Sequence, residues 1–530
     1  MNIKAFFTNI KLKTKIYFSA ADFVSKKTFY KSKEGDFRMK IDDKNYAHIL
    51  LPESAEEFKK MLKDAAGNTM DVNITDVLIS GHKCVFVAAE GMISTQALST
   101  LIFEPIMNFD VGGKASADEV YKFLTEQSIM TIDRQELTTF GEVFMRLFSG
   151  FAIIFIDQKN KAISFGVQGY DKRGVENPSS DNNVMGAQDG FIEALRTNVS
   201  LVRRRIKSPK LKFELMQIGK TTKTDVAVAY ISDKADKKIV DEVKRRLGSI
   251  ELDTVFSSGY IEPFLEGEYK TLFSSVNTTD RPDAFCVKLN EGKVGIIIDG
   301  TPFTLIVPTI FMEAFRTIDD YTSRRFYVTY IRWIKYLSFF LAVALPGIYV
   351  AVASYHPEMM SHRLLLNLVA SKEGTPYSVT AEAMIITVMY EIMREAGIRL
   401  PKAVGGAVSI VGALIIGDAA VTSSLISAPL LIIIGLTATA SFVIPNLNQQ
   451  TSVLRFVFIV VGGVFGLYGI CILTMAIIAS TCTLNSFTVP YTAPVSPVTP
   501  STLSDIFSRS SFKRLEKTKG RVENLNGVKK

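Results

Sequence analysis

The chain has 530 residues, which exceeds one ordinary domain and predicts two or three folding units. Its formal net charge is +8, but the positive charge is spread over separate short runs, which argues against a nucleic-acid-binding protein. The four cysteines show no CxxC pair and no histidine at ligand spacing. This pattern argues against a disulfide framework or a zinc site and favours a reducing, cytoplasmic environment.

Two soluble subdomains are predicted ahead of the apolar part of the chain. Residues 1–35 form a basic N-terminal arm, because lysine alternates with phenylalanine and isoleucine without the apolar core of a signal peptide. Residues 36–145 form a first α/β subdomain, with a helix at 58–66 and strands at 76–79 and 84–88. Residues 146–300 form a second α/β subdomain, with a helix at 236–247 and strands at 151–156, 162–166, 226–231 and 294–298.

Residues 301–332 are predicted to connect the soluble region to a membrane. Prolines interrupt the segment, and four apolar side chains then share one helical face: Phe311, Met312, Phe315 and Ile318. The pattern is typical of an amphipathic helix on the membrane surface, or of a helix that packs on the soluble core. Aromatic residues and basic residues, including Arg324 and Arg325, follow and mark the cytoplasmic side.

Residues 333–485 predict a transmembrane helical bundle. Four stretches, 336–354, 404–424, 426–444 and 456–481, approach or exceed the roughly 20 apolar residues that span a bilayer. The predicted fold class is therefore an α/β soluble N-terminal region followed by an all-α polytopic transmembrane bundle. A Pro-rich and then basic tail, 486–530, is predicted to be cytoplasmic.

A charged helix at 377–397 interrupts the apolar pattern. Its ionisable groups would cost several kcal/mol each in lipid, so the helix is expected to face protein or water. Glu391 and Arg394 are three residues apart, and Glu395 and Arg399 are four apart, so both pairs can form along a helix. Glu382 has no evident partner. Two readings stay open: internal ion pairs that tie helices together, or a water-lined cation path with Glu382, Glu391, Glu395, Arg394 and Asp418 as candidates.

The number of membrane crossings is ambiguous. The soluble region and the basic tail should lie on one side, which requires an even number, whereas four spans and the charged helix make five. The charged helix is either re-entrant, or a further half-span lies at 356–370, or the tail is outside.

Two other residue patterns predict contacts. Small residues that allow close helix packing are Gly405, Gly406, Ser409, Gly412, Gly417, Gly462 and Gly466. Basic residues predicted at the membrane surface are Arg203, Arg204, Arg205, Arg324 and Arg325. The first three equally fit an acidic partner or a solvated helix face. The soluble region has isolated histidines and no nucleotide-binding or metalloprotease motif, so we expect neither enzyme activity nor a cofactor.

Several longer motifs resemble the A subunits of GerA-type spore germinant receptors. In the soluble region they are Gly190-Phe-Ile-Glu-Ala-Leu-Arg-Thr-Asn198, Ile218-Gly-Lys-Thr-Thr-Lys-Thr-Asp225 and Asp299-Gly-Thr-Pro-Phe303. In the apolar part they are Arg394-Glu-Ala-Gly-Ile-Arg-Leu-Pro401, Gly417-Asp-Ala-Ala-Val421 and Pro490-Tyr-Thr-Ala-Pro494. The resemblance covers residues 141–500. The chain departs from the family pattern at Asp418, usually glutamine, and at Thr387, usually glutamate.

The resemblance implies a subunit of a nutrient-responsive complex in the inner spore membrane, with its soluble head on the cytoplasmic, spore-core side. The implied partners are a transporter-like B subunit, a lipoprotein C subunit and further copies of the A subunit in a ring that releases monovalent cations. An accessory germination channel subunit of the SpoVAF type is the alternative, as is a membrane scaffold or transporter component.

Overall fold

The computed structural model describes residues 48–67, 69–127, 133–169, 186–267, 271–317, 319–400, 417, 419–498 and 505–511. These residues belong to one compact unit, Tyr46–Lys530. They form two soluble α/β layers, together called the head below, and a helical bundle.

The first layer is an antiparallel five-stranded sheet with strand order β1-β2-β4-β5-β3. Its strands are β1 (Val72–Ile79), β2 (His82–Ala89), β3 (Arg134–Leu137), β4 (Phe151–Ile156) and β5 (Ala162–Gly166). Its helices are α1 (Ala55–Ala66), α2 (Thr95–Leu98), α3 (Glu104–Met107), α4 (Ala117–Lys122) and α5 (Phe140–Leu147), with π-helical turns at Ser99–Phe103 and Phe123–Gln127.

The predicted boundary between residues 145 and 146 is wrong. Strand β4 pairs with β2, and β5 pairs with β3, so both strands after the boundary complete the first sheet. Strand β4 is apolar at every position because helices cover both faces of the sheet. Ile153 and Phe155 enter one hydrophobic cluster, whereas Ile154 and Ile156 enter the other.

The second layer is another antiparallel five-stranded sheet, with order β6-β7-β9-β10-β8. Its strands are β6 (Leu211–Ile218), β7 (Thr224–Ile231), β8 (Asn277–Thr279), β9 (Val294–Ile298) and β10 (Thr304–Val307). Its helices are α6 (Leu195–Arg205), α7 (Lys237–Gly248), α8 (Ser258–Glu266) and α9 (Pro282–Asn290). The strands and the helix predicted here are confirmed, and Asp236 caps α7 by accepting a hydrogen bond from the Lys238 amide.

The connector does not form the predicted amphipathic helix. Strand β10 is followed by a 3₁₀ turn, Phe311–Phe315, and by a short helix α10, Asp319–Thr322. Phe315 is buried against Tyr336, and Phe311 packs on Tyr491. Phe311 and Phe315 therefore pack on protein between the head and the bundle, and Ile318 lies outside the described residues.

The described part of the bundle contains a 3₁₀ turn at Pro357–Met359, another at Pro445–Leu447 and these helices: α11 (Arg325–Tyr355), α12 (His362–Lys372), α13 (Val379–Arg399), α14 (Ala420–Thr422), α15 (Ala428–Phe442) and α16 (Asn448–Thr483). Within the described ranges, two helical segments are long and apolar enough to cross a membrane, Arg325–Tyr355 and Pro445–Thr483. The predicted span at 404–424 lies largely outside the described residues.

Helix α16 folds back on itself at Gly466. This residue has φ +61° and ψ −153°, which breaks the helix. A Cβ placed on Gly469 would meet the side chain of Val461, eight residues earlier, a proximity that a straight helix does not allow. The Tyr355 hydroxyl shares its one proton between the carbonyls of Gly463 (2.8 Å) and Val464 (3.1 Å), where the first half ends.

The turn at Gly466 places both ends of α16 beside the head. Asn446, just before α16, lines a cavity with head residues. After α16 the chain forms a two-stranded hairpin, β11 (Asn485–Ser486) and β12 (Val489–Pro490), which also packs on the head. The predicted single span at 456–481 thus contains the end of one helical half and most of a second that runs back toward the head.

Candidate functional site

The charged helix α13 packs with one face on α11, α15 and α16, whereas Ile392 and Ile398 on its other side are exposed. Ser378 caps its N-terminus by accepting from the Ala381 amide at 3.3 Å. Because the helix is packed on three neighbours, its acidic residues meet protein groups at two separate places.

Glu382 occupies the first place and is fully buried. The statement that it has no partner is wrong. Its carboxylate accepts hydrogen bonds from the Ser427 amide (3.2 Å) and hydroxyl (2.9 Å) and from the Thr375 hydroxyl (3.0 Å). Ser427 is the N-cap residue of α15, so the carboxylate stands at the positive end of that helix. Among the described residues, neutral donors and a helix terminus stabilise Glu382, and no ion pair does.

Glu391 occupies the second place, between two arginines. Arg394 Nη2 lies 2.7 Å from Glu391 Oε2, and Arg455 Nη1 lies 3.5 Å from Glu391 Oε1. Arg394 also donates to Asn448 Oδ1 (3.1 Å) and Ser452 Oγ (2.7 Å) on α16. The pairing that the sequence spacing allows is therefore present, and so is the Glu395–Arg399 pair at 2.6 Å.

Arg455 is fully buried on α16 and was missed by the sequence reasoning. Pro346, in the middle of α11, has no N–H to donate to the Ala342 carbonyl one turn earlier. Arg455 Nε donates to that carbonyl at 3.0 Å. The sequence signal that could have identified Arg455 was a single arginine beside an apolar run, together with a proline inside another predicted span.

A cavity of about 590 Å³ adjoins this second place. Its polar lining includes Glu391, Arg394, Glu395 and Arg399 of α13 together with Ser452 of α16. The cavity therefore has two acidic and two basic side chains on its wall. Glu382 does not line it, so the three glutamates divide between a closed site and an open one.

The packing glycines have separate positions. A Cβ on Gly462 would collide with the backbone of Gly347, and a Cβ on Gly347 would lie 2.5 Å from the Phe458 carbonyl oxygen. Gly466 forms the turn, and Gly417 is exposed with nothing within 4 Å of a Cβ. The remaining candidates lie outside the described residues: Gly405, Gly406, Ser409, Gly412 and Asp418.

Arg203 is not a membrane-surface residue. Its guanidinium is fully buried, with Nε 2.6 Å and Nη2 2.9 Å from the two carboxylate oxygens of Asp71. It also donates to the carbonyls of Ser208 (2.8 Å) and Leu211 (3.0 Å). Arg203 therefore ties helix α6 of the second layer to the residue that precedes β1 of the first.

The other basic residues differ in exposure. Arg205 is mostly buried and pairs with Asp189, which also argues against a lipid contact, and Arg204 is half-buried. Arg324 and Arg325 are exposed beside the exposed aromatic side chains of Phe326 and Tyr327. Their position at a membrane surface stays a prediction.

Comparison with known proteins identifies the family. The family model described as Bacillus/Clostridium GerA spore germination protein matches residues 60–520, which include both soluble layers and the bundle. This chain belongs to the GerA spore germination family. The family resemblance that the sequence motifs indicated is thus confirmed.

Individual relatives of this GerA-family chain include proteins named for germination. Spore germination protein KA of Bacillus subtilis (strain 168) is 35% identical over 466 residues, which are 87% of this chain and 85% of that protein. An uncharacterized membrane protein of the same strain, YfkQ, is 38% identical over 394 residues, 74% of this chain and 77% of that protein. The crystal structure of the N-terminal domain of the A subunit of the Bacillus megaterium spore germinant receptor GerK3 aligns with 29% identity and a TM-score of 0.39, covering 49% of this chain and 97% of that one.

Proposed function

We propose that this GerA-family chain is the A subunit of a spore germinant receptor and forms a ring that conducts monovalent cations when a nutrient is bound. The observation that carries the proposal is the open cavity on α13, where two carboxylates and two arginines line the side of a bundle that has two helical segments long and apolar enough to cross a membrane. Ionisable groups in a membrane are costly and are retained where they face water or an ion path. The proposal involves no catalysis and no cofactor.

The arrangement around Glu391 supports a closed resting state. Glu391 is shared by Arg394 and Arg455, and each arginine keeps one buried N–H, Nε of Arg394 and Nη2 of Arg455, without a hydrogen-bond partner in the described chain. These arginines neutralise the carboxylate and repel cations. Opening therefore requires that α13 and α16 shift so that the acid faces the passage without them.

The proposed complex lies in the inner spore membrane with the head on the spore-core side. A transporter-like B subunit would bind the nutrient, and a lipoprotein C subunit would complete the receptor. Support comes from the family, whose members carry germination names, and from the return of the chain to the head after α16.

The test is potassium release from spores that carry single substitutions. E391Q is expected to slow nutrient-triggered release, because it removes the acid from the cavity wall. R394Q is expected to raise release without nutrient, because it frees that acid. The matched control is E373Q, since Glu373 is exposed and lies in the turn before α13. Receptor abundance is followed by immunoblot.

Equal release from wild-type, E391Q and R394Q spores at equal receptor abundance would contradict the proposed ion path. Currents are also compared in planar bilayers that contain the purified partner subunits with and without this chain. If the chain is only a scaffold or an accessory subunit, the nutrient-triggered currents are the same in both. The receptor subunit is expected to be essential for those currents.

A further inference from the structure

A second cavity lies where the head meets the bundle, and it is called the junction cavity here. Its volume is about 60 Å³. Its walls come from the edge strand β8 and helix α9 of the head, from the connector between Glu313 and Tyr321, and from Asn446 of the bundle. Since a water needs about 10–15 Å³ of such volume, the space holds a ligand of about four or five heavy atoms.

Arg316 lines this cavity and is not satisfied by the protein. Its side chain is only 11% exposed, and its guanidinium makes no hydrogen bond within the described residues. Its Nε is buried and without a partner. The nearest carboxylate oxygen is Oδ2 of Asp505, 4.0 Å from Nη1, which is beyond hydrogen-bond distance. A buried N–H without an acceptor is costly, so the Nε group favours an acceptor in the cavity, which the two Nη groups can also contact.

The other charges at the cavity are already paired with each other. Lys288 lies 3.1 Å from Glu313 and 3.9 Å from Glu291, and Lys293 contacts Glu313 from behind the wall. These two lysines and two glutamates balance. Arg316 carries a further positive charge whose nearest carboxylate, Asp505, is 4.0 Å away, so an anionic ligand can approach the guanidinium more closely than Asp505 does.

Two side-chain amides complete the lining. Asn277 belongs to β8 of the head, and Asn446 precedes α16 of the bundle. Neither side chain makes a hydrogen bond to another described residue, so both can turn an N–H toward the cavity. The unused donors thus come from the head, the connector and the bundle.

We propose that the junction cavity binds a small oxyanion, a carboxylate or a phosphate, on the Arg316 guanidinium. The planar fork of arginine matches two oxygens of such a group, and a cation is excluded by the same charge. The amides of Asn277 and Asn446 hold the remaining oxygens. Because these donors belong to different parts of the chain, the anion braces the head against the bundle. The inference is independent of the cation path, which uses other residues.

The test uses the full chain purified in a nonionic detergent. Its thermal midpoint is followed by the fluorescence of the single tryptophan, Trp333, which packs beside Tyr336 near the junction. Sodium phosphate and sodium acetate are titrated at constant ionic strength against sodium chloride. The midpoint is expected to rise saturably with phosphate or acetate and to stay flat with chloride.

Variants separate the site from surface effects. R316Q is expected to weaken anion binding by about tenfold or more, which corresponds to the loss of one charged hydrogen bond. The control R325Q removes an exposed arginine and is expected to bind as the wild type does. N446A lowers affinity without changing the midpoint in chloride, and it serves as the test if R316Q does not fold.

The outcomes decide the proposal. Saturable, Arg316-dependent binding of inorganic phosphate or acetate supports a free anion as the ligand, whereas an Arg316-dependent rise only with phosphatidylglycerol micelles assigns the oxyanion to a lipid headgroup. The proposal is overturned if none of these probes binds saturably. It is also overturned if R316Q, or N446A where R316Q does not fold, binds them with the same affinity as the wild type. Potassium release altered by E391Q remains a separate readout, so failure here leaves the proposed function standing.

Discussion

Replacing Arg203 with alanine is expected to destabilise the head by about 3–5 kcal/mol, the cost of breaking a buried ion pair on one side. The substitution leaves the carboxylate of Asp71 enclosed without its cation, because Asp71 is itself buried. It also removes donors from the carbonyls of Ser208 and Leu211 and the cation that lies 4.5 Å from the Phe148 ring centre.

Two buried cysteine thiols, one in each layer, can report this loss of stability. Burial raises the pKa of Cys84, in β2, to about 12, and burial likewise raises the pKa of Cys286, in α9, to about 12. Both thiols are therefore protonated and shielded at pH 8 and react with a maleimide only when the head opens. In a background without the exposed Cys471 and Cys482, labelling rates measure the opening free energy, provided that reclosing outpaces labelling.

The expected effect of R203A is an increase in labelling of Cys84 and Cys286 by about 100-fold or more, since each 1.4 kcal/mol is a factor of ten. The control is R196A on the same helix. Arg196 is exposed and pairs with Glu90, and such surface pairs contribute about 1 kcal/mol or less. If Cys84 and Cys286 are labelled at similar rates in R203A and R196A, the Arg203–Asp71 ion pair does not stabilise the head by about 3–5 kcal/mol.

Two further predictions concern the bundle and the junction. Gly347→Ala should disrupt packing of α11 on α16 and lower the thermal midpoint in detergent, whereas Gly435→Ala, with nothing within 4 Å of its Cβ, should not; equal midpoints would contradict the packing argument. Burial would raise the pKa of Glu313, but Lys288 and Lys293 lower it to about 2. Its contribution, about 3 kcal/mol, is then complete above pH 4.5 and is lost as the pH falls through 2, so Trp333 melts should show a steeper acid loss for wild type than for E313Q.

Local patterns predicted six of the ten strands in the two described sheets, and two of the nine α-helices described with them. The run from Phe151 to Ile156 is apolar at every position, which predicted a buried strand. In the structure its side chains alternate between two hydrophobic clusters. The Glu391–Arg394 pair followed from helical spacing alone. These features depend on neighbours within a few residues, which a sequence displays directly.

Long-range contacts explain what the sequence did not reveal. Arg203 resembled its basic neighbours until its partner, Asp71, 132 residues away, was known. The ligand groups of Glu382 include Ser427, 45 residues later. The turn at Gly466 was hidden because hydropathy stays high on both sides of it, and only backbone geometry shows the reversal.

The hairpin after α16 has a consequence for how the molecule is made. Phe487 and Val489 are buried in the same hydrophobic cluster as Val228 and Ile296 of the second sheet. During synthesis from the N-terminus, the ribosome releases these two side chains only after every helix of the bundle has emerged. The apolar surface that they cover on the second sheet therefore stays open until the chain beyond residue 484 has been made, and a chain that stops before it leaves that surface open to chaperones and proteases.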